Sequence, residues 1–211
     1  MKVELIDSSG GDLSVVNSAR VSFNVETNTI NLKDEKLIKY LAKHRHDTPF
    51  RHNFVQLRCE VPVFLARQLM KHQAGLTWNE ESRRYIDYFP ECYEPALWRK
   101  RPDKSIKQGS GDYVEDNLSV ASMYELAIQR AKKTYTALLN ANVAPEMARM
   151  VLPQSMMVNF IWSGNLLAFF HVYNLRSGEG AQEEAKDFAE KLKDAIKPQF
   201  PISWEALEDR I

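Results

Sequence analysis

Apolar and polar residues alternate strictly over residues 53–61, with Val55, Leu57, Cys59 and Val61 interleaved by Gln56, Arg58 and Glu60, which predicts a half-buried β-strand. In the opening MKVELID, Val3 and Leu5 fall between charged residues, predicting a second strand before Ser8-Ser9-Gly10-Gly11 turns the chain. Residues 156–162 are apolar enough for a buried strand. Helical spacing marks the rest. A short helix is expected near Asp12, and another from Asn31, where Asp34 and Glu35 suit the positive end of the helix dipole. Leu37, Tyr40, Leu41 and His44 share one face of that second helix. A helix beginning at Pro62 places Val63, Ala66, Leu69 and Met70 on a packing face and is ended by Gly75, with residues 76–81 following as a polar loop. The longest periodic stretch is 117–140, with Val120, Tyr124, Ile128, Ala131, Tyr135 and Leu138 as a continuous stripe for a core or a subunit interface. Pro145 starts a turn of helix carrying Arg149 and Pro153 closes it, while 165–174 and a final amphipathic 182–196 complete the helices. Residues 87–116, rich in Pro, Gly and charge and including Lys107-Gln108-Gly109-Ser110-Gly111, read as a long surface loop, either a connector or a lid over substrate.

Composition narrows the partners. The 211 residues are 44% hydrophobic, which suits a single domain over 1–211 with a sizeable core. Basic and acidic residues number 28 each, so nothing in the balance suits nucleic acid or an anionic membrane surface. No signal-peptide pattern or apolar run near the roughly eighteen residues of a membrane span is present, and a cytoplasmic location is expected. Cys59 and Cys92 lack metal or disulfide spacing, which fits a reducing compartment.

Candidate chemistry concentrates in RQLMKHQAGLTWNEESRRY, residues 67–85. Gln68, Lys71 and His72 share one face of the predicted helix, and Arg67 and Lys71 repel at i, i+4 unless an anion lies across them. The face is either an anion site or a solvated basic surface. His44, His46 and His52 with Asp47 raise a metal site, but their spacing fits no standard zinc pattern, and His44 on the apolar face suits ordinary packing. His52, at the entrance of a strand, is placed to face a cleft. Ser18-Ala19-Arg20-Val21-Ser22-Phe23 suits either ligand lining or packing. Gly178 and Gly180 do not follow a strand and make no dinucleotide fingerprint. Neither cysteine sits in a basic motif that would activate a thiolate, so redox chemistry calls for a cofactor.

Several separated segments then coincide. Lys71-His72-Gln73, eight residues, and Ser82 are followed through Asn79-Glu80-Glu81-Ser82-Arg83-Arg84-Tyr85, and the C-terminal half adds Ala148-Arg149-Met150-Val151-Leu152-Pro153, Trp162, Asn165, Asn174-Leu175-Arg176 and Ala181-Gln182. With Ser18-Ala19-Arg20-Val21-Ser22 and Phe50-Arg51-His52, the chain resembles the flavin-dependent thymidylate synthases over nearly its whole length. Lys71 and Gln73 stand where the family signature has arginines: Lys71 keeps the charge without the bidentate fork, and Gln73 keeps only hydrogen bonding. His171 stands where some relatives have asparagine.

The resemblance implies an α+β fold, an antiparallel sheet with flanking helices that include a long central one, assembled as a homotetramer with active sites between subunits. It also implies methylation of dUMP to dTMP, with FAD as cofactor, methylenetetrahydrofolate as carbon donor and NADPH as reductant. The folate's methylene ends on C5 of the uracil, and the reduced flavin's hydride completes the methyl group. Carried onto this chain, Gln68, Glu80, Ser82, Arg83, Arg84, Arg149 and Arg176 bind dUMP. Ser22, His52, Lys71, His72, Gln73, Glu80, Asn165 and His171 line the flavin, and His52 also meets the folate. Arg176, Ser82 and His52 are the candidate catalytic residues, Arg176 because a fixed cation stabilises charge on the ring and Ser82 as a hydrogen-bonding group rather than a nucleophile. No metal is expected. The alternatives are a metal-dependent nucleotide phosphohydrolase using His46 and Asp47, and a non-catalytic nucleotide-binding protein using Arg83 and Arg84.

Overall fold

The computed structural model describes residues 1–104 and 109–211, so Lys107 and Gln108 of the loop's Gly-rich run lie outside the described residues. Within them, β1 (Lys2–Ser9), β2 (Phe54–Pro62), β3 (Leu76–Glu80) and β4 (Met157–Gly164) form one sheet in the order β1-β2-β4-β3. Every pairing is antiparallel. The alternation in the sequence becomes the two faces of β2: Val55, Leu57, Cys59 and Val61 are fully buried, while Arg58 stays exposed on the other side. The architecture is therefore α+β.

Helices α1 (Asp12–Arg20), α2 (Leu32–Lys43), α3 (Val63–Leu69), α6 (Leu166–Ser177), α7 (Glu183–Ile196) and α8 (Pro201–Glu208) bury their apolar stripes in one cluster with β2 and β4. Trp162 of β4 lies inside it, its ring 5.4 Å from those of Trp78 and Phe169. Local signals start the helices. Asn31 caps α2 by accepting from the Lys33 amide at 2.9 Å, and Asp34 reciprocates by accepting from the Asn31 amide at 2.9 Å. Asp34 is fully buried and ion-paired with Arg20, which ties α2 to α1. Asn165 caps α6 through the Ala168 amide at 2.9 Å.

Four expectations are corrected. The helix after Pro62 stops at Leu69, so Lys71 and His72 lie beyond it rather than on its polar face. The polar loop of residues 76–81 is mostly the edge strand β3: Leu76 and Trp78 turn toward the core, and Trp78 stacks on Phe160 with centroids 3.5 Å apart. The helix over 182–196 is not the last, because α8 follows it. Its first turn is capped from a distance by the buried carboxylate of Asp12, which accepts from the amides of Ile202 at 2.9 Å and Ser203 at 2.8 Å. Finally, His44 does not pack on an apolar face, since it is exposed at the end of α2 against Tyr40, itself exposed.

Helix α4 (Asn117–Asn140) has the predicted bounds, and its stripe faces inward, yet only Tyr135 is fully covered. The stripe packs on the 86–98 segment rather than on the sheet. Tyr124 donates to the Tyr93 carbonyl at 2.6 Å, and Tyr135 to that of Ile86 at 3.3 Å. Leu118, Met123 and Leu126, off the stripe, are exposed. Between α4 and β4 lies the single turn α5 (Pro145–Ala148), with Arg149 just past it. No helix among the described residues is long and apolar enough to cross a membrane.

Candidate active site

The early end of α3 leaves the Gln68 carbonyl with a long bond from the Lys71 amide at 3.4 Å, and a cation from α6 completes it. Arg176, in the last turn of α6, donates from Nη2 to that carbonyl at 2.9 Å and from Nε to His72 Nε2 at 3.1 Å. The chain is held in a turn by the His72 amide donating to the Leu69 carbonyl at 2.9 Å. Burial, the Arg176 guanidinium and His171 lower the His72 pKa to about 4, so at neutral pH its imidazole is neutral and accepts the hydrogen bond from Arg176 Nε. Burial also lowers the pKa of Arg176. Three of the predicted residues, Gln68, His72 and Arg176, thus meet in one cluster.

A second cluster lies after β3. Arg84 and Arg149 both contact Glu146: Arg84 pairs with its carboxylate at 3.4 Å, and Arg149 Nε donates to its carbonyl at 3.1 Å. Both guanidiniums are exposed, as a phosphate site requires. Ser82 Oγ accepts from the Arg84 amide at 3.3 Å, a turn contact, and among the described residues no base is hydrogen-bonded to it. Arg83 points the other way. It is 6% exposed, its Nη1 donates to the Tyr88 carbonyl at 3.0 Å and its Nη2 to Glu81 at 3.3 Å, so in this chain it braces the loop. Glu80 accepts from the Trp78 indole at 3.2 Å. Desolvation, with added repulsion from Glu81, raises its pKa despite the indole bond.

The other residues assigned to a flavin fall in three further places. Arg51, Ala74, Gly75, Asn165 and His171 line a cavity of about 210 Å³. Gly75 has φ +75°, and a Cβ there would lie 2.9 Å from Asn165 Nδ2, so the backbone is bare where it meets the amide. His171 has its pKa lowered by burial and then by Arg210 and Arg51, against the opposing Asp47. Ser22 and His52 line an open groove of about 760 Å³ with Ser18, His44 and His46. Lys71 and Gln73 are exposed on the turn after α3. Among the described residues no hydrogen bond or ion pair joins the Arg84–Arg149 cluster to the His72–Arg176 cluster.

Residues 4–202 match the family model described as thymidylate synthase complementing protein. The chain is 36% identical over 209 residues to a protein named flavin-dependent thymidylate synthase from Thermus thermophilus, covering 99% of this chain and 76% of that one. It is 35% identical over 206 residues to one of the same name from Kosmotoga olearia, covering 97% and 88%. This chain belongs to the flavin-dependent thymidylate synthase family. A solved structure, the UMP/dUMP methylase PolB from Streptomyces cacaoi bound with 5-Br dUMP, superposes with a TM-score of 0.89 at 32% identity, covering 99% of this chain and 94% of that one.

Family membership removes the phosphohydrolase reading. Asp47 is held by Arg210 at 2.6 Å, and among the described residues no three His, Cys, Asp or Glu side chains gather as a metal site. Neither thiol is activated, since burial raises the pKa of Cys59 and, with Glu94 added and Ser155 and Arg83 opposing, that of Cys92. Sequence reasoning missed Glu146, which joins two arginines far apart in the chain, and Arg51 beside Asn165. It also missed the run Gln182, Glu184 and Arg99 behind Gln68, for which the Ala181-Gln182 match was the available signal.

Proposed function

We propose that the protein is a flavin-dependent thymidylate synthase that methylates dUMP to dTMP, using FAD, methylenetetrahydrofolate and NADPH. The observation that carries this reading is Arg176, a guanidinium fixed at two atoms by His72 and Gln68 at the edge of a family motif. A cation so held offers its remaining N–H groups to the uracil edge, where negative charge builds during attack from C5. Arg84 and Arg149, brought together at Glu146, take the phosphate, with Ser82 and Glu80 beside them.

The chain's own groups fit a flavin. The bare backbone at Gly75, the Asn165 amide, His171 and the neighbouring Arg51 form a polar cradle that a Cβ would fill. Lys71, His72, Gln73 and Glu80 hold its other edges, and Ser22 and His52 line the groove that serves flavin and folate. When bound and reduced, the flavin supplies the hydride that completes the methyl group. His72, neutral at working pH, keeps Arg176 in place without competing for charge.

The single domain completes its sites by assembling. Among the described residues no hydrogen bond or ion pair links the two clusters within one chain, and α4 exposes Leu118, Met123 and Leu126. A homotetramer buries that face and brings phosphate-binding and uracil-binding residues of different chains together in the cytoplasm. The test is the visible absorbance of the purified protein, followed by dTMP formation from dUMP with methylenetetrahydrofolate and NADPH. A flavin spectrum and turnover are expected. A colourless protein unable to bind added FAD overturns the reading.

A further inference from the structure

Behind Gln68 runs a line of hydrogen bonds that ends in a buried carboxylate. Arg99, from the 87–116 segment, donates from Nη2 to both oxygens of Glu184 at 2.7 and 2.8 Å. Gln182 Nε2 donates to Glu184 Oε2 at 2.8 Å, and Gln68 Nε2 donates to Gln182 Oε1 at 2.8 Å. Arg176, in turn, holds the Gln68 backbone.

The direction of every bond in that line is forced from its far end. An ionised carboxylate only accepts, so Gln182 must turn its NH2 toward Glu184 and its oxygen toward Gln68. Gln68 must then give its NH2 to Gln182. That fixes Gln68 Oε1, to which no described residue donates, as the acceptor Gln68 offers a ligand, beside the second N–H of its own amide. Glu184 is 5% exposed, and although burial alone favours its protonated form, Arg99, its own backbone amide and Gln182 outweigh that and keep it ionised below the ordinary carboxylate range.

We infer that Glu184 is a positioning residue for base specificity: through Gln182 it fixes Gln68 as an acceptor, which suits the N3–H of a 4-oxo pyrimidine such as uracil and opposes the N3 lone pair of a 4-amino pyrimidine such as cytosine. The inference rests on the proposed placement of the uracil edge between Arg176 and Gln68. It assigns specificity to a side chain that never touches the base. Replacing an acceptor-only group by an amide of the same shape frees both glutamines to flip and removes the preference while leaving the packing intact.

The experiment measures dUMP and dCMP dissociation constants by calorimetry on FAD-loaded protein for wild type, E184Q, Q182M and R176A, with melting temperature and flavin spectrum as checks of folding. E184Q is expected to narrow the dUMP-over-dCMP preference by about tenfold, the worth of one oriented hydrogen bond. Q182M, which cuts the line at its middle, should narrow it as much, and decides the matter if E184Q fails to fold. A purely structural role would lower the melting temperature and leave the ratio unchanged, which overturns the inference. R176A separates the two readings. If R176A loses dUMP affinity while E184Q and Q182M keep the wild-type ratio, the relay is wrong and the site stands. If R176A binds dUMP as wild type does, the site placement itself is wrong.

Discussion

Arg176 Nε and His72 Nε2 lie 3.1 Å apart as donor and acceptor, joining the last turn of α6 to the chain just beyond α3. A guanidinium always carries its proton, so the bond exists only while the imidazole is neutral. Position and charge state are coupled in this pair.

Replacing Arg176 with alanine removes a charge-assisted contact worth about 1.5 to 3 kcal/mol, and dUMP affinity should fall about ten- to a hundredfold. If the cation also meets charge that develops on the ring, turnover at saturating dUMP should fall too. Arg84→Ala should instead raise the dUMP concentration needed while high dUMP restores most of the rate. Steady-state dTMP formation by both variants distinguishes them, and unchanged turnover in Arg176→Ala removes that residue from the catalytic set.

The His72 pKa of about 4 sets a pH window. Above roughly pH 6.5, the ordinary histidine value, the imidazole is neutral in folded and unfolded chains alike, and its contribution to stability is fully present. As pH falls from there toward 4 the unfolded chain takes up the proton and the folded one does not, so that contribution is lost across this interval. dUMP affinity should hold from pH 8 to 6 and decline below 5, when a second cation forms against Arg176. Following the His72 ring proton by NMR gives the midpoint, and titration near 6.5 contradicts the coupling.

Gly75 combines φ +75° with a close approach to Asn165. An alanine there adopts a left-handed backbone at a cost of about 1 kcal/mol and pushes its methyl into the amide. Gly75→Ala should lose about 1 to 2 kcal/mol in urea unfolding and retain less FAD through purification. An equally yellow, equally stable variant removes the cradle.

Leu126 is 71% exposed on α4. If this face closes the homotetramer, Leu126→Glu places a charge in a desolvated contact. Light scattering should then report a smaller species with little turnover, whereas a fully active oligomer of unchanged mass places the interface elsewhere.

Much of this was legible where one local signal decides the outcome. The alternation in β2, the acidic first turn of α2 and the period of α4 each act within a few residues. What stayed hidden depends on partners far along the chain. β3 carries its own alternation at Leu76 and Trp78, but only two inward side chains mark it, and the Phe160 ring that makes Trp78 a strand residue lies 82 positions away. α8 starts where a carboxylate about 190 residues upstream caps it. In the site, the motif residues Gln68, His72 and Arg176 were readable as chemistry. The burial of Arg83 was not, because sequence shows a charge without showing which way it turns.

The way α4 is attached bears on how the molecule breathes. Its inward stripe rests on the 86–98 segment, only Tyr135 is sealed, and the sheet core is complete without it. A helix with so few covered apolar contacts opens at a lower free energy than the strands. In hydrogen exchange, α4 and the segment under it should therefore come apart as one cooperative unit while β2 and β4 stay closed. If neighbouring chains supply the missing cover, protection of α4 rises with protein concentration and that of the central strands does not.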